Sequence, residues 1–223
     1  MNEANFILPV QVGLALLLFV YLWYLHAAVF SMRDQVSAQV KTISKVESLT
    51  SEVYKLATLD QLTGLCNRRS GEQRLAEEIS RSVRHGRPLT VMLLDMDGLK
   101  QINDQHGHAA GDVALKSFAE RILKATRGSD LAVRLGGDEF MVLLPECRAA
   151  GVKYVHARVE GLEIEYNQVK IPCRFSSGWT EYKEGETSQE FLKRADEGLY
   201  ANKRANKETV SGSYGSRVPQ PIT

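Results

Sequence analysis

The apolar positions of the chain follow different patterns along its length. An unbroken apolar run, FILPVQVGLALLLFVYLWYLHAAVF, covers residues 6–30 and contains no Asp, Glu, Lys or Arg. Apolar residues at intervals of three and four follow over residues 31–57, and alternating or helical spacings fill residues 58–207. Residues 208–223 show no periodicity and are expected to be disordered. The pattern therefore predicts an apolar helix, a linker helix, a globular domain and a tail.

The run at residues 6–30 is predicted to be a transmembrane helix, because it exceeds the ~20 residues that cross a bilayer as a helix. The alternative is a cleaved signal peptide, but Glu3 precedes the run without Lys or Arg, and such peptides have apolar segments of only ~7–15 residues. Arg33 and Lys45 follow the run, so the positive-inside tendency puts the C-terminal bulk in the cytoplasm. We expect a single-pass inner-membrane protein with residues 1–5 outside and no extracytoplasmic sensor domain.

The linker at residues 31–57 is predicted to be helical, with one fault in its heptad spacing. The favoured interpretation is a short parallel coiled coil that holds two copies side by side. The alternative is a single amphipathic helix that lies on its own domain or on the membrane. The apolar positions are Val36, Val40, Ile43, Val46, Leu49, Val53 and Leu56.

The globular segment begins with an N-capped helix, in which Asn67 precedes RRSGEQRLAEEISRSVRHG and Gly86 ends it. PLTVMLLDMD is then predicted to be a buried central strand, because it is a nearly continuous apolar run. A helix, two strands, a helix, a strand and a last helix follow near residues 109–126, 130–134, 139–144, 149–162, 171–180 and 188–204. From the first strand onward this is the β-α-β-β-α-β order of a ferredoxin-like α+β fold, with helices against one face of an antiparallel sheet.

Composition and charge narrow the classes of function. The 28 Lys and Arg residues balance 27 Asp and Glu residues, so no overall field draws the chain to nucleic acid, and we expect no nucleic-acid partner. Any binding of phosphates must therefore be local. Cys66, Cys147 and Cys173 lie far apart without CxxC spacing, which is typical of reduced, buried thiols in the cytosol.

Acidic residues gather where predicted strands end. Asp95 and Asp97 close the central strand, and Asp138 and Glu139 follow two glycines in the hairpin RLGGDEFMVLLP. Because these strands are neighbours in the predicted order, we expect the four carboxylates within a few ångströms of one another. Such carboxylates repel unless a cation or an exposed rim relieves them, and oxygen ligands without His or Cys favour Mg²⁺ or Mn²⁺. Two such ions can support phosphoryl transfer, whereas a single DxD at a strand end, taken alone, fits a solvated turn.

The stretch GLKQINDQHGHAAGD, residues 98–112, suits a purine nucleotide. Lys100 could neutralise phosphate oxygens, and the start of the following helix offers free N–H groups to an anion. Asn103 and Asp112 indicate base selection, because a carboxylate accepts hydrogen bonds from the N1–H and amino group of guanine and is repelled by the N1 acceptor of adenine. The site is therefore predicted to prefer guanine.

Four segments together carry a family resemblance: DQLTGLCNRR, LDMDGLKQINDQHGHAAGD, RLGGDEFMVLLP and ADEGLYANKRANK, over about residues 58–207. In this order they resemble the four blocks of a GGDEF-domain diguanylate cyclase. The resemblance implies a polymerase-palm-like domain that condenses two GTP into cyclic di-GMP with release of two pyrophosphates. It also implies a homodimer, in which each subunit supplies half of the catalytic assembly, and Mg²⁺ or Mn²⁺ as cofactor.

Position by position, the resemblance implies roles for single residues. Asp95, Asp138 and the carbonyl of Met96 would ligate the metal, and Glu139 would assist at the metal or help to deprotonate the attacking 3′-OH. The predicted GTP ligands are Asn103 and Asp112 at guanine, Lys100, Lys203 and Lys207 at the phosphates, and Gly136 and Gly137, which leave room for the triphosphate. Lys207 stands where the family usually has arginine.

The segment RGSD matches the family's RxxD site for inhibition by the product. Arg127 and Asp130 are its two signature residues, and Arg158 is a candidate second guanidinium. The alternative interpretation is an ordinary helix exit that Gly128 terminates.

The chain departs from the family pattern at positions outside the predicted metal and guanine ligands. Gly198 costs the last helix ~1 kcal/mol relative to alanine. The departures are Leu99 for the usual Phe, Gly198 and Asn202 for alanines, and Asn206 for a turn glycine. Since the signature acids are kept, a membrane-anchored diguanylate cyclase is the predicted function. The alternatives are a non-catalytic receptor that binds GTP or cyclic di-GMP as a scaffold for a transmembrane protein partner, and an unrelated palm-type cyclase that makes one cyclic mononucleotide per triphosphate.

Overall fold

The computed structural model describes the backbone of residues 4–210 and the side chains of residues 12–33, 35–37 and 39–206. The predicted outer segment, the side chain of Lys207 and the predicted tail lie outside the described side chains. The chain divides into two compact units, Met1–Lys55 and Leu56–Thr223, which are described separately below.

The first unit contains most of α1, an uninterrupted helix that runs over Ala4–Thr58. It contains an 18-residue window of mean hydropathy 2.0, which is long and apolar enough to cross a membrane. Its apolar side chains are exposed in both predicted segments, for example Leu17 and Phe19 in the first and Val40 and Ile43 in the second. Exposed apolar surfaces of this size mark contacts with a membrane or another protein. Helix formation is as predicted, and membrane insertion and pairing stay predictions.

The second unit is built on a six-stranded sheet with the strand order β1-β3-β4-β2-β6-β5. Its strands are β1 (Cys66–Asn67), β2 (Leu89–Asp97), β3 (Leu131–Gly136), β4 (Glu139–Pro145), β5 (Leu162–Tyr166) and β6 (Val169–Glu181). Only β1 and β3 pair in parallel among these neighbours, and the other pairs are antiparallel. The helices are α2 (Arg68–His85), α3 (Leu99–His106), α4 (His108–Ala125), α5 (Val152–Val159) and α6 (Ser188–Val210).

The order β2-α4-β3-β4-α5-β6 confirms the predicted ferredoxin-like α+β fold, with β2 between β4 and β6. The elements β1, α3 and β5 were not predicted. The helix expected over residues 149–162 is shorter, because Ala149–Gly151 is a 3₁₀ turn and α5 ends at Val159. Gly161, at φ 69°, turns the chain into β5.

Helices cover both faces of the sheet, which corrects the expectation of one covered face. The side chains of β2 alternate between two apolar clusters. Met92 and Leu94 lie in one cluster with residues of α4 and α5, and Val91 and Leu93 lie in the other with residues of α2 and α6. A strand that is buried on both faces has an apolar run without alternation, and the sequence of β2 has this pattern.

The predicted cap of α2 is present. The side chain of Asn67 accepts a hydrogen bond from the N–H of Ser70 at 3.0 Å, and Gly86 ends the helix at φ 62°. Cys173 is buried as expected, and burial raises its pKa to about 11. Cys66 and Cys147 are only half-buried, although burial raises the pKa of both thiols as well.

Gly71→Ala is expected to lower the free energy of unfolding by about 1–3 kcal/mol, the usual cost of overpacking a core. A Cβ at Gly71 would lie 2.5 Å from Cγ1 of Val133, a buried and β-branched side chain with little freedom to move. Gly128→Ala is the control, because a Cβ there meets nothing within 4 Å. Thermal unfolding of the full chain in detergent measures both variants, and equal midpoints would contradict this account of α2 packing.

Candidate functional site

The end of β2 and the tip of the β3–β4 hairpin are in direct contact, as predicted. Asp95 lies opposite Glu139 of β4 and opposite Ser176 of β6. The N–H of Met96 donates to the carbonyl of Asp138 at 3.0 Å. Since Asp95 follows Val91 and Leu93 in the strand alternation, its side chain belongs to the face that α2 and α6 cover.

The hairpin tip needs its two glycines for conformation. Gly136 and Gly137 have φ values of 144° and 55°, which side-chain-bearing residues rarely adopt. The register shifts between Arg134 and Gly136, so the tip carries a bulge, and Gly136 then pairs with Glu139. A Cβ at either glycine would meet no protein atom within 4 Å. The protein therefore leaves open space beside this stretch of backbone.

Arg134, which was not among the predicted site residues, binds the tip of the β3–β4 hairpin. Arg134 donates to the carbonyl of Gly137 from Nε at 3.2 Å and from Nη2 at 2.7 Å. Its Nη1 pairs with Oδ1 of Asp60 at 3.0 Å, and the same oxygen accepts from Thr63. Burial acts to raise the pKa of Asp60, but the hydrogen bonds from Thr63 and Arg134 outweigh it and lower that pKa. Arg134 therefore connects the segment DQLTGL, residues 60–65, to the hairpin tip.

Lys203 of α6 reaches the acidic end of β2. Its Nζ lies 2.6 Å from Oδ2 of Asp95, a residue that is 6% exposed. Burial raises the pKa of Asp95, the hydrogen bond from Lys203 opposes that rise, and the charge of Asp138 adds to it. Burial acts to lower the pKa of Lys203, but Asp95, Asp138 and Asp97 outweigh it and raise that pKa. Lys203 therefore stays charged and compensates a buried carboxylate.

The four carboxylates expected to converge do not form one cluster. Asp138 is close enough to Asp95 to act on its pKa. Glu139 is half-exposed, and its carboxylate lies 3.6 Å from Nη2 of Arg68. Both oxygens of Asp97 accept from the hydroxyl of Ser176 at 3.0 Å. Separate polar partners therefore relieve the repulsion of Glu139 and Asp97. Among the described residues, no three His, Cys, Asp or Glu side chains lie close enough together to hold a metal ion.

The oxygen donors at this edge nevertheless fit a hard divalent ion that arrives with other ligands. The carboxylates of Asp95 and Asp138 and the backbone of Met96 adjoin one another. Mg²⁺ is commonly held through one or two carboxylates, with waters and substrate phosphates completing its shell. Burial is the main cause of the raised pKa of Asp95 and the charge of Asp138 adds to it, so a cation at this edge would stabilise the ionised carboxylate. The donor set thus suits Mg²⁺ or Mn²⁺ bound together with a phosphate.

The two predicted guanine ligands come from adjacent helices. Asn103 lies on α3 and Asp112 on α4, and the helices are in contact at Gly111. A Cβ at Gly111 would lie 2.0 Å from Oδ1 of Asn103, so the Asn103 side chain rests against the backbone one residue before Asp112. Asp112 is exposed, and so is Lys100 in the first turn of α3. The structure therefore brings the two base-reading candidates together at one helix junction.

The three candidate inhibitory residues meet at the end of α4. The carboxylate of Asp130 accepts from the backbone N–H of Arg127 at 2.8 Å, and the N–H of Asp130 donates back to the Arg127 carbonyl at 3.0 Å. Arg158 places Nη1 3.4 Å from the carbonyl of Ala125, the last residue of α4. The RGSD segment is therefore a closed turn, and both Arg127 within it and Arg158, which contacts the end of α4, are exposed.

Comparison with known proteins gives consistent matches. Residues 57–209 match the family described as "Diguanylate cyclase, GGDEF domain". The response regulator PleD of Caulobacter vibrioides is 34% identical over 198 residues, which cover 80% of this chain and 42% of PleD. The chain thus spans less than half the length of that relative.

Two solved structures resemble the chain over most of its length. The coiled coil and GGDEF domain of DgcB from Caulobacter crescentus, in complex with c-di-GMP, superposes with a TM-score of 0.71 at 26% identity, covering 78% of this chain and 95% of that one. Diguanylate cyclase SiaD from Pseudomonas aeruginosa, in complex with its activator SiaC, gives a TM-score of 0.66 at 30% identity, covering 91% of this chain and 79% of that one.

Proposed function

Because the chain belongs to the family of GGDEF-domain diguanylate cyclases over residues 57–209, we propose that it condenses two GTP into cyclic di-GMP and two pyrophosphates. The observation that carries the proposal is the acidic edge of the sheet, where Asp95 adjoins Asp138 and is paired with Lys203 at 2.6 Å. An acid–lysine pair beside an open glycine tip suits a triphosphate that arrives with a divalent cation.

The residues at this edge would have different roles in nucleotidyl transfer, some in binding the cation and others in binding the phosphates. A divalent cation, when bound by Asp95, Asp138 and the Met96 carbonyl, would supply positive charge to the phosphates. Lys203 would then leave Asp95 and donate to the β- and γ-phosphates, together with Lys100 and Lys207. Gly136 and Gly137 would let those phosphates approach the backbone.

Glu139 would handle the proton of the attacking hydroxyl or assist at the metal. Its half-exposed carboxylate lies 3.6 Å from Arg68, so it is free to turn toward a ligand. As the 3′-oxygen bonds to the α-phosphorus and the bond to pyrophosphate breaks, the 3′-proton would pass to this carboxylate. Asn103 and Asp112 would hold guanine so that the reacting atoms are aligned.

The reaction needs two copies of the domain, since each copy would present one GTP to the other. The exposed apolar stripe of α1 that includes Val40 and Ile43 supports a homodimer joined as a coiled coil. Such pairing raises the effective concentration of the partner domain. We propose that the apolar window of α1 anchors the chain once in the inner membrane, with its N-terminus outside, the catalytic domain in the cytoplasm and a transmembrane protein as a possible partner.

The test is incubation of the purified full chain in detergent with GTP and Mg²⁺, followed by chromatographic and mass-spectrometric identification of products. We expect one cyclic di-GMP for every two pyrophosphates. Binding of GTP or cyclic di-GMP without turnover would instead favour the scaffold function. One cyclic mononucleotide per GTP would favour the other palm-type cyclase.

Arg127→Ala is expected to raise the concentration of added cyclic di-GMP that halves the reaction rate by about 10–100-fold, the usual worth of a charged hydrogen bond. The physical reason is that the variant removes an exposed guanidinium near the end of α4, which Arg158 also contacts, and leaves the backbone of the RGSD turn bonded to Asp130. Arg84→Ala removes an exposed arginine on α2 and is the control. Inhibition curves that coincide for wild type and Arg127→Ala would show that this site does not bind the product.

A further inference from the structure

The helix α6 packs against β6 backbone to backbone. A Cβ at Gly178 of β6 would lie 2.0 Å from the N of Leu199, 2.4 Å from the carbonyl oxygen of Ala195 and 2.6 Å from the carbonyl carbon of Gly198. These are main-chain atoms of α6 and cannot turn aside as a side chain would. The contact therefore exists only because Gly178 lacks a side chain.

Two asparagines continue this contact along the same face of α6. Asn202 and Asn206 follow Gly198 at intervals of four residues, so the three positions line one side of the helix. The Oδ1 of Asn202, which is 9% exposed, accepts from the backbone N–H of Ser177 at 3.0 Å. The Nδ2 of Asn206 donates to the hydroxyl of Ser176 at 3.1 Å. Gly198, Asn202 and Asn206 are called the docking stripe below.

The docking stripe binds β6 where the neighbouring strand has ended. β5 pairs with β6 only as far as Cys173, and no strand among residues 4–210 pairs with the edge of β6 beyond that residue. The N–H of Ser177 points to this edge, and Asn202 satisfies it in place of a strand partner. Alanine, the residue that the family resemblance leads one to expect at this position, has no acceptor for that N–H. Asn202 and Asn206, which depart from the family pattern, thus each make a specific hydrogen bond to β6.

The docking stripe also holds the part of α6 that carries Lys203. Among the described residues, Leu199 is the last buried apolar side chain of α6. Beyond it, Asn202, Asn206 and Lys203 contact the sheet through polar groups. A helix end without apolar burial opens easily unless polar contacts restrain it. The two asparagines flank Lys203 and supply that restraint.

We infer that Asn202 and Asn206 are positioning residues that fix the last described turns of α6 so that the Lys203 ammonium stays at the acidic edge of β2, where it pairs with Asp95 until a nucleotide binds. The link extends to the second acid of β2, because the Ser176 hydroxyl that accepts from Asn206 donates to Asp97. The inference deepens the proposed function and rests on it for the meaning of Lys203 as a phosphate ligand. The docking itself is a property of the fold and is measurable without a nucleotide.

The kinetic test is a double-mutant cycle between Asn202→Ala and Lys203→Met on the full chain in detergent. Asn202→Ala is expected to raise KM for GTP about 5–10-fold and to change kcat less, because Lys203 acts in binding the phosphates. In the Lys203→Met background, Asn202→Ala should raise KM no further. Equal KM increases in both backgrounds would overturn the inference, because Asn202 would then act independently of Lys203.

Two readouts need no nucleotide. Amide hydrogen exchange at Ser177 should be at least about 10-fold faster in Asn202→Ala. Zero-length carbodiimide coupling of Lys203 to Asp95, quantified by mass spectrometry, should fall in Asn202→Ala and in Asn206→Ala. Gln189→Ala, an exposed amide in the first turn of α6, is the control and should change neither. Unchanged exchange and coupling in the asparagine variants would overturn the inference.

These readouts separate the inference from the proposed function. If the wild-type chain forms no cyclic di-GMP, the proposed function fails. The positioning role is then tested by the two other measurements alone, amide hydrogen exchange at Ser177 and chemical coupling of Lys203 to Asp95. If the wild type is active and Asn202→Ala leaves KM, exchange and coupling unchanged, the cyclase proposal stands and the positioning role fails.

Discussion

Asp95→Asn is expected to lower the rate of cyclic di-GMP formation by about 10³-fold at saturating GTP and Mg²⁺. The amide keeps the shape of the carboxylate but removes the charge that Lys203 compensates at 2.6 Å and that a divalent cation would require. Because Lys203 is one-third exposed, it can be solvated after the change, and the fold should persist. The measurement is the initial rate of product formation, with thermal unfolding recorded for the same sample.

The matched control is Asp196→Asn, the same chemical change at an exposed position of α6. We expect its rate to stay within about twofold of wild type, since surface substitutions away from specific contacts have small effects. If Asp95→Asn retained more than about a tenth of the wild-type rate while folded, the acidic edge of β2 would not be the reaction centre.

Asp112→Asn is expected to lower kcat/KM for GTP by about 10–100-fold, with a smaller change for ATP. The carboxylate can accept from both the N1–H and the 2-amino group of guanine, whereas an amide presents one acceptor and one donor. ITP separates these contributions because hypoxanthine lacks the 2-amino group. Wild type should favour GTP over ITP, and the variant should lose most of that preference.

Gly111→Ala tests the other guanine ligand, Asn103 of α3, through a change on α4 next to Asp112. The added Cβ would lie 2.0 Å from Oδ1 of Asn103, so the asparagine must move while Asp112 keeps its charge. We expect the ratio of kcat/KM for GTP to that for ATP to fall in this variant too. If both variants kept the wild-type preference, guanine would be read elsewhere.

The central elements of the fold were predictable because their signals are local. The apolar run of β2 and the paired glycines of the hairpin each specify one structure within a few residues. The elements that were missed have weak local signals: β1 has two residues, and β5 begins directly after the turn at Gly161. The covering of both sheet faces was implicit in the unbroken apolarity of β2, but a ferredoxin-like order alone does not reveal it.

The candidate site was predictable as a set of acids and glycines, but its pairings were not. Arg134 meets Asp60, and Lys203 meets Asp95, across long stretches of chain that leave no spacing signal. The expected convergence of four carboxylates failed because Arg68 and Ser176 lie beside two of them, Glu139 and Asp97. The spacing of Asp60 and Thr63 does suggest a side-chain-closed turn, and that signal could have drawn attention to the segment.

The burial of β2 on both faces and both edges also constrains how the domain can be synthesised and dissected. Its partners β4 and β6 come later in the chain. During synthesis, the strand LTVMLLDMD therefore has exposed apolar side chains and unpaired backbone groups until both partners have been made. A fragment truncated before Val169 would never supply β6, and its open edge would invite aggregation. Soluble pieces of this protein should therefore be cut outside the whole β2–β6 span.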